Sequence, residues 1–398
     1  MLKAILKIGL FIICITFGYG QNTKFKTGKT DSKNYFTKIK YKNVKSKIII
    51  PVLVEGKTYQ FLFDTGAPNV ISSEILKTLS NKPLKSLTIS DSNNREGTMQ
   101  LTQLSALSIG NVTFRNTSAL IFEDEGNVIF DCYEVDGIIG SNLLRKSVVQ
   151  INAKNKELII TNKIKNLEVE SNAPSKLTLV GGQGSPYIEI KLKGEKTASE
   201  SLLFDTGATG FYDMTEEHFN LFKNNNIAVT ISKGKGASGM GLFGASEVND
   251  KYRLKIPSIT VNNYDFKNVW TTTTSDSNSR IGAEILDYGI VTLDFNMKNF
   301  YFEGFDNPTD LNEKLLGFTP IIDNNKLVVG VVWDKELKDK VSYGDEIISI
   351  NTFSVANANI CDFFTNKSIF KSSDILKITF KTKEGELNTY NLKREFIH

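Results

Sequence analysis

The chain has 398 residues and a formal net charge of +4, with 40% hydrophobic and 23% charged residues. This balance is typical of a folded protein and excludes disordered and collagen-like chains. The mild charge gives no indication of a nucleic-acid partner. The two histidines, His218 and His398, argue against a His-rich zinc site and a two-histidine metal triad. We expect His218, in a polar run, to be an exposed helical residue, which leaves carboxylates as the abundant acid–base groups.

The start of the chain predicts a secretory leader. Lys3 and Lys7 come before an apolar run over residues 8–17, and small residues follow up to Gly20. This order is typical of a signal peptide. The run is about half of the ~20 residues that a spanning helix needs. We therefore expect removal of residues 1–20, no stable membrane span, and export to the periplasm, the cell envelope or the medium of a bacterial-type cell.

Residues 21–47 are rich in lysine, with nine lysines and one acid, Asp31. We predict a solvated arm that leads into the first strand, with a basic pro-segment that masks an acidic site as the alternative. Beyond the leader the cysteines are Cys132 and Cys361. They fall in different predicted domains, so we do not expect a structural disulfide, although the predicted compartment is oxidising.

The chain contains one internal repeat. An apolar strand ending in Phe, followed by Asp-Thr-Gly-Ala, occurs twice, and its aspartates, Asp64 and Asp205, are 141 residues apart. A second pair of segments, each with an isoleucine before a glycine, places Gly140 and Gly282 at an offset of 142 residues. Two copies of one ancestral unit explain these matching offsets better than chance does.

Most segments have the alternation and the turn residues of β-strands. Hairpins are predicted over residues 48–63 and 187–204, and strand–turn–strand units over 148–160 and 290–302. Helical periodicity is clearest over 72–79 and 215–224. We therefore predict a mostly β fold of sheets or barrels. Its predicted parts are an N-terminal lobe over 48–170, a C-terminal lobe over 171–304 and a different unit over 305–398.

The aspartates are the candidate chemistry. Asp64 and Asp205 each end an apolar strand, at the edge of a dry core. If the two lobes pack about a pseudo-twofold axis, the carboxyl groups meet and share a proton. One then acts as base on a water molecule and the other as acid toward a carbonyl group. The residues that we expect to shape the pair, by locking strands and by allowing close approach, are Thr65, Gly66, Thr206 and Gly207.

These two Asp-Thr-Gly-Ala motifs, each followed by its apolar–glycine segment, resemble the aspartic proteases of the pepsin and retropepsin type. The resemblance covers roughly residues 45–304, and the alanine is more similar to the retroviral and bacterial branch. It implies bilobal pepsin/retropepsin-like barrels, a cleft between the lobes and amide-bond hydrolysis of an extended peptide by Asp64 and Asp205. No cofactor or metal is expected. Two lobes in one chain also lead us to expect a monomer.

Two features depart from that family. Arg280 stands where an apolar residue is expected, and if it reached the aspartates it would hold both of them ionised. The segment over 90–100, where a pepsin-type flap would lie, has Gly97 but no tyrosine, while the segment over 232–246 is rich in glycine. Each segment is a candidate for a mobile flap, with a plain surface loop as the alternative.

The C-terminal unit resembles a PDZ domain. A Gly-Asp turn at residues 344–345 precedes an Ile-Ile-Ser-Ile-Asn strand, although Thr352 replaces the usual glycine. Gly317 and Phe318 would belong to the loop that holds a peptide carboxylate, and residues 357–367 would form the helix. The alternative is a small α+β domain that packs on the protease.

The predicted function is that of an exported aspartic endopeptidase with a PDZ-like domain that recruits or regulates peptide substrates. Its partners would be a peptide or protein substrate and a C-terminal peptide ligand. One alternative is a non-catalytic peptide-binding protein that retains the protease fold, which contact between Arg280 and the aspartates would favour. The other is a scaffold whose functional part is the PDZ-like unit.

Overall fold

The computed structural model describes residues 25–79, 82–122, 127–169, 173–365 and 367–396. The predicted leader over 1–20 and the first residues of the lysine-rich arm lie outside these ranges. In the part of the chain that is described, no helix has both the length and the apolar character needed to span a bilayer.

Strands dominate the fold, which confirms the prediction of a mostly β protein. Up to the end of the first repeat they are β1 (Lys29–Thr30), β2 (Phe36–Lys40), β3 (Lys42–Val44), β4 (Lys47–Val54), β5 (Lys57–Asp64), β6 (Val70–Ser72), β7 (Lys85–Ser90), β8 (Glu96–Ile109), β9 (Val112–Phe122), β10 (Gly137–Gly140), β11 (Val148–Asn152) and β12 (Glu157–Thr161). In the second repeat they are β13 (Ser175–Val180), β14 (Ser185–Lys193), β15 (Thr197–Asp205), β16 (Tyr212–Thr215), β17 (Val229–Gly236), β18 (Met240–Gly241), β19 (Gly244–Ala245), β20 (Asn249–Val261), β21 (Tyr264–Thr274), β22 (Arg280–Gly282), β23 (Gly289–Asp294), β24 (Asn299–Gly304) and β25 (Thr309–Asp310).

The C-terminal unit adds β26 (Phe318–Asp323), β27 (Lys326–Val332), β28 (Glu346–Ile350), β29 (Phe353–Ser354), β30 (Ile375–Lys381) and β31 (Leu387–Lys393). The α-helices are α1 (Ser73–Thr78), α2 (Val128–Tyr133), α3 (Ser141–Leu144), α4 (Glu216–Lys223) and α5 (Ile360–Thr365), and 3₁₀ turns cover Ile164–Asn166, Ala283–Asp287 and Lys367–Lys371. Helices α1 and α4 confirm the two predicted helical segments. Each begins after a hydroxyl cap, because Ser72 accepts from the Ile75 amide and Thr215 from the His218 amide.

Each repeat brings its aspartate to the end of a buried strand. The hairpin of β4 and β5 turns at Gly56, whose φ is +85°, and β14 and β15 form the matching hairpin. β5 pairs in parallel with β10, so that Asp64 faces Gly140. β15 pairs in the same way with β22, so that Asp205 faces Gly282. The repeat predicted from the sequence is therefore also a repeat of strand pairing.

A six-stranded antiparallel sheet joins the two repeats, in the order β2, β12, β11, β23, β24, β13. Its central pair consists of equivalent strands, β11 and β23. Gln150 and Thr292, which are 142 residues apart, face each other there, and Gln150 Nε2 donates to Thr292 Oγ1 at 3.1 Å. The pseudo-twofold axis passes through this pair, and one hydrophobic cluster holds buried residues of both repeats.

Part of the lysine-rich arm lies in this sheet, so the expectation of a solvated arm is wrong for β2. The strand alternates, with Thr37 and Ile39 turned inward while Lys38 and Lys40 face outward and pair with Glu157. A period of two thus explains how a segment with so many lysines can form a strand. The lysines supply its exposed face.

The C-terminal unit has its own hydrophobic cluster and is attached to both repeats. Gly236 at the end of β17 pairs with Val331 of β27. On the other side α5 packs against α2, and a disulfide joins Cys132 to Cys361. The expectation that these cysteines would stay unpaired was wrong, because the C-terminal unit packs against the first repeat and brings two distant helices together.

Candidate active site

Asp64 and Asp205 lie next to each other, where the two motifs meet, as the repeat predicted. Asp205 is buried and Asp64 is partly exposed. One carboxylate oxygen of Asp64 accepts the Gly66 amide at 2.8 Å and the Ala67 amide at 3.1 Å. Asp205 accepts the corresponding amides of its own motif at 2.8 and 3.3 Å. The turn after each aspartate therefore fixes the direction of its carboxyl group.

The two threonines cross-link the motifs. Thr65 Oγ1 donates to the Phe204 carbonyl at 2.6 Å and accepts the Thr206 amide at 3.1 Å. Thr206 Oγ1 donates to the Phe63 carbonyl at 2.9 Å and accepts the Thr65 amide at 3.0 Å. Both side chains are fully buried, so each hydroxyl satisfies two backbone groups that no water reaches. These four hydrogen bonds join the two strand ends.

The two glycines allow close approach. A Cβ atom on Gly66 would lie 2.6 Å from Asp205 Oδ1, and one on Gly207 would lie 2.2 Å from Asp64 Oδ2. Each glycine thus leaves room for the carboxyl group of the other motif. The glycine of each motif therefore lies against the aspartate of the other motif, and not against its own.

Two further side chains, which the sequence did not single out, each donate a hydrogen bond to the carbonyl oxygen of one of these glycines. Lys47, buried at the start of β4, donates from Nζ to the Gly207 carbonyl oxygen. Gln183 Nε2 donates to the Gly66 carbonyl oxygen at 2.9 Å. Lys47 lies among nine lysines of one segment, and no pattern distinguishes it from the others. The inward-facing first position of β4 is the only signal that could have found it.

Arg280 reaches the aspartates. Its guanidinium is buried, with Nη1 3.2 Å from Asp205 Oδ2 and Nη2 bound to Asp276. Nε lies 3.7 Å from Asp213 Oδ2. Burial alone would lower the pKa of Arg280, but the charges of Asp205, Asp276 and Asp213 outweigh it and raise the pKa above its ordinary value. The guanidinium therefore stays charged.

The pair holds a proton near neutral pH. Burial and then the charge of Asp205 raise the pKa of Asp64 to about 7, hydrogen bonding with Asp205 adds to the rise, and the charge of Lys47 opposes it. Two carboxyl groups so close cannot ionise independently, and their protons belong to the pair. The site can thus offer a protonated and an ionised carboxyl group together.

The two flap candidates are hairpins that touch each other. Gly97, in the hairpin of β7 and β8, lies against the ring of Phe243 in the loop between β18 and β19. Asp91 Oδ2 accepts the Phe243 amide at 2.8 Å, and Asn93 Nδ2 donates to the Gly244 carbonyl at 2.9 Å. Neither segment is a plain loop, and the identity of the flap stays a prediction.

The other residues singled out from the sequence lie elsewhere. His218 is on α4, but it is partly buried and pairs with Glu200, so the expectation of an exposed residue was wrong. Phe318 is buried in the core of the C-terminal unit. The Gly317 carbonyl beside it accepts the Trp333 amide at 2.8 Å. A peptide-binding role for Gly317 and Phe318 stays a prediction.

Comparisons with known proteins give one family match and several similar solved structures. Residues 50–143 match a family model described as aspartyl protease. No curated protein sequence matches the chain. Among solved structures the chain is similar to an aspartic proteinase from Irpex lacteus, at 13% identity and a TM-score of 0.42, over 68% of this chain and 97% of that one. It is also similar to a retropepsin-like aspartic protease from Rickettsia conorii, at 18% identity and a TM-score of 0.24, over 33% of this chain and 94% of that one.

The family match includes Asp64 and Gly140 and ends before the second motif. The second motif is related to the first by the repeat, the strand register and the threonine cross-links. By sequence, then, the similarity to aspartyl proteases covers part of the first repeat.

Proposed function

We propose that the chain is an aspartic endopeptidase that hydrolyses peptide bonds with a water molecule activated between Asp64 and Asp205. The observation that carries the proposal is the meeting of Asp64 and Asp205, each bound by the amides of its own motif and each lying against the glycine of the other motif. In addition, the pKa of Asp64 is raised to about 7, and Asp205 lies against the Arg280 guanidinium. One carboxylate can then take a proton from water while the other carboxyl gives one to the carbonyl oxygen of the peptide. Residues of the chain itself supply both steps.

The contact between Arg280 and Asp205 bears on the non-catalytic alternative. An arginine that held both carboxylates ionised would leave no proton donor in the site. The non-catalytic alternative requires such a site. Arg280 instead touches one member of the pair and shares its charge with Asp276 and Asp213. The pKa of Asp64 remains raised, so the arrangement supports hydrolysis over simple binding.

The test is cleavage of a diverse peptide mixture by the purified chain, scanned across pH and analysed by mass spectrometry. Asp64→Asn and Asp205→Asn variants are the controls, and each removes the acid–base group while keeping its shape. We expect cleavage by the parent and a loss of about 10²–10⁴-fold or more in each variant. Peptide binding without cleavage at any pH would instead establish the non-catalytic alternative.

We also propose that the C-terminal unit is a PDZ-like peptide-binding module. What supports the proposal is the β26–β27 hairpin, with Phe318 in the core of the unit and α5 in contact with β27. A peptide would bind by adding a strand to such a hairpin. The test is the binding of labelled peptides with free C-terminal carboxylates to the full chain, with amidated copies as controls. Preference for the free carboxylates supports the module. Equal binding of both forms, or none, leaves a domain that only packs on the rest.

Export is the last part of the proposal, and it rests on the leader-like order of residues 1–20. Expression of the full chain in a bacterial host, followed by fractionation and N-terminal sequencing, tests it. A mature start near Gln21 in the periplasmic or secreted fraction is the expected result. An intact leader in the cytoplasmic fraction would contradict it.

A further inference from the structure

The two repeats differ in the strand behind each aspartate. In β10 the position two residues before the glycine is Ile138, which is buried in an apolar cluster. In β22 the equivalent position is Arg280, beside Leu203 in the parallel register. An arginine at this position points a fixed, planar cation at the neighbouring carboxylate. The backbone pairing is thus the same in the two repeats, whereas the side chain at this position differs.

Among the described residues, three carboxylates contact the Arg280 guanidinium, and they come from different elements. Asp205 lies at the end of β15, Asp213 on β16 and Asp276 in the loop before β22. From β14, Tyr187 contributes a hydroxyl that bonds Asn278. Asp276 is itself held by the Asn278 amide at 2.9 Å. Asp276 in this loop thus binds one end of the guanidinium while the other end contacts Asp205.

Asp64 has different surroundings. Its carboxylate accepts the amides of Gly66 and Ala67. The charge of Lys47, whose Nζ donates to the Gly207 carbonyl, also acts on this carboxylate. A guanidinium in direct contact with a carboxylate favours its ionised form, and Arg280 makes such a contact with Asp205 at 3.2 Å. The two members of the pair therefore compete unequally for their shared proton.

We propose that Arg280 is a positioning residue that fixes Asp205 as the ionised member of the pair and leaves the proton on Asp64. The inference rests on the function proposed above. As the water oxygen attacks the carbonyl carbon, Asp205 takes a proton from the water and Asp64 gives its proton to the carbonyl oxygen. When the C–N bond breaks, the proton on Asp205 passes to the leaving nitrogen, and Asp64 regains a proton from a hydroxyl of the intermediate.

The first test is the pH profile of kcat/KM for the parent, Arg280→Met and Arg280→Lys. The acid limb reports the first ionisation of the pair, so removing the cation moves it to higher pH, by about one to three units. The alkaline limb, which reports loss of the Asp64 proton, moves less, and Arg280→Lys restores much of the acid limb. Arg115→Met, which removes a cation from the exposed pair with Asp31, leaves both limbs in place. A uniform loss of rate with unmoved limbs in Arg280→Met would show a merely structural role.

The second test needs no substrate. Titration of ¹³C-labelled aspartate carboxyl groups by NMR, assigned with Asp64→Asn and Asp205→Asn, gives the order in which the pair ionises. Asp205 ionising first in the parent, with the order lost in Arg280→Met, supports the inference even if no peptide is cleaved. Asp64 ionising first overturns it, even if peptides are cleaved. If Arg280→Met does not fold because Asp276 is left unpaired, the double variant Arg280→Met/Asp276→Asn takes its place in both tests.

Discussion

The two Asp-Thr-Gly copies hold their carboxylates with the same backbone contacts but surround them with different side chains. In both copies the amides two and three residues after the aspartate bind it, and a threonine crosses to the other copy. The carbonyl oxygen of each motif glycine also accepts a hydrogen bond, but the donor is the charged Lys47 in one copy and the neutral Gln183 in the other. Only the second copy places an arginine, Arg280, behind its aspartate.

This comparison separates geometry from charge. The shared backbone contacts bring two acids together, and a symmetric pair would have no reason to keep its proton on either member. Arg280 and Lys47 remove that equivalence, because they act on different carboxylates and through different contacts. Variants that alter the shared features should therefore affect both copies alike, whereas variants of the cations should affect the two limbs of the pH profile differently.

Among the variants that keep both aspartates and test this comparison, the largest expected effect comes from filling the space that the glycines leave. In Gly207→Ala the new methyl group would lie 2.2 Å from the Asp64 carboxylate, and in Gly66→Ala 2.6 Å from that of Asp205. The carboxyl group must move, so we expect kcat/KM to fall by about 10²-fold in each case, with little change in melting temperature. Gly210→Ala, whose methyl group meets nothing closer than 4.0 Å, is the matched control. Full activity in Gly207→Ala would contradict the geometry.

The next largest effect is on stability, and it comes from removing the threonine hydroxyl groups that join the two motifs. Thr65→Val and Thr206→Val each leave buried backbone groups without a partner, so each should lower the free energy of unfolding by about 1–3 kcal/mol. Thr65→Ser and Thr206→Ser keep the hydroxyl and should lose much less. Urea unfolding of the four variants measures this. Equal losses for valine and serine would mean that the methyl group, and not the hydroxyl, holds the strands.

The smallest expected effect comes from removing Lys47, and it distinguishes the role of Lys47 from that of Arg280. Lys47→Met removes the positive charge that lowers the pKa of Asp64, so that pKa should rise further above 7. The active pair needs the proton on Asp64, and the alkaline limb of kcat/KM should therefore move to higher pH, by up to about one unit. Lys47→Arg keeps the charge and should leave the limb near its original position. A shift of the acid limb instead would assign Lys47 the role proposed for Arg280.

The sequence predicted those parts of the fold and site that depend on local pattern. Alternation predicted the hairpins before Asp64 and Asp205, and the repeat predicted that the two aspartates meet. It did not predict the Cys132–Cys361 disulfide or the pairing of β2 with β12, because both depend on how distant segments pack. The role of Arg280 was open for the same reason. Its neighbour Asp205 is 75 residues away in the chain, and only the folded register shows which of the two carboxylates it touches.

The most direct test of the central claim is whether Asp64 and Asp205 act as one catalytic unit. Single-turnover cleavage of one peptide would be compared among the parent, Asp64→Asn, Asp205→Asn and the double variant. For a shared pair, either single change removes the function of both, so the double variant should be no slower than the slower single variant. Parent-level cleavage by either single variant, or a loss in the double variant equal to the product of the single losses, would contradict the account.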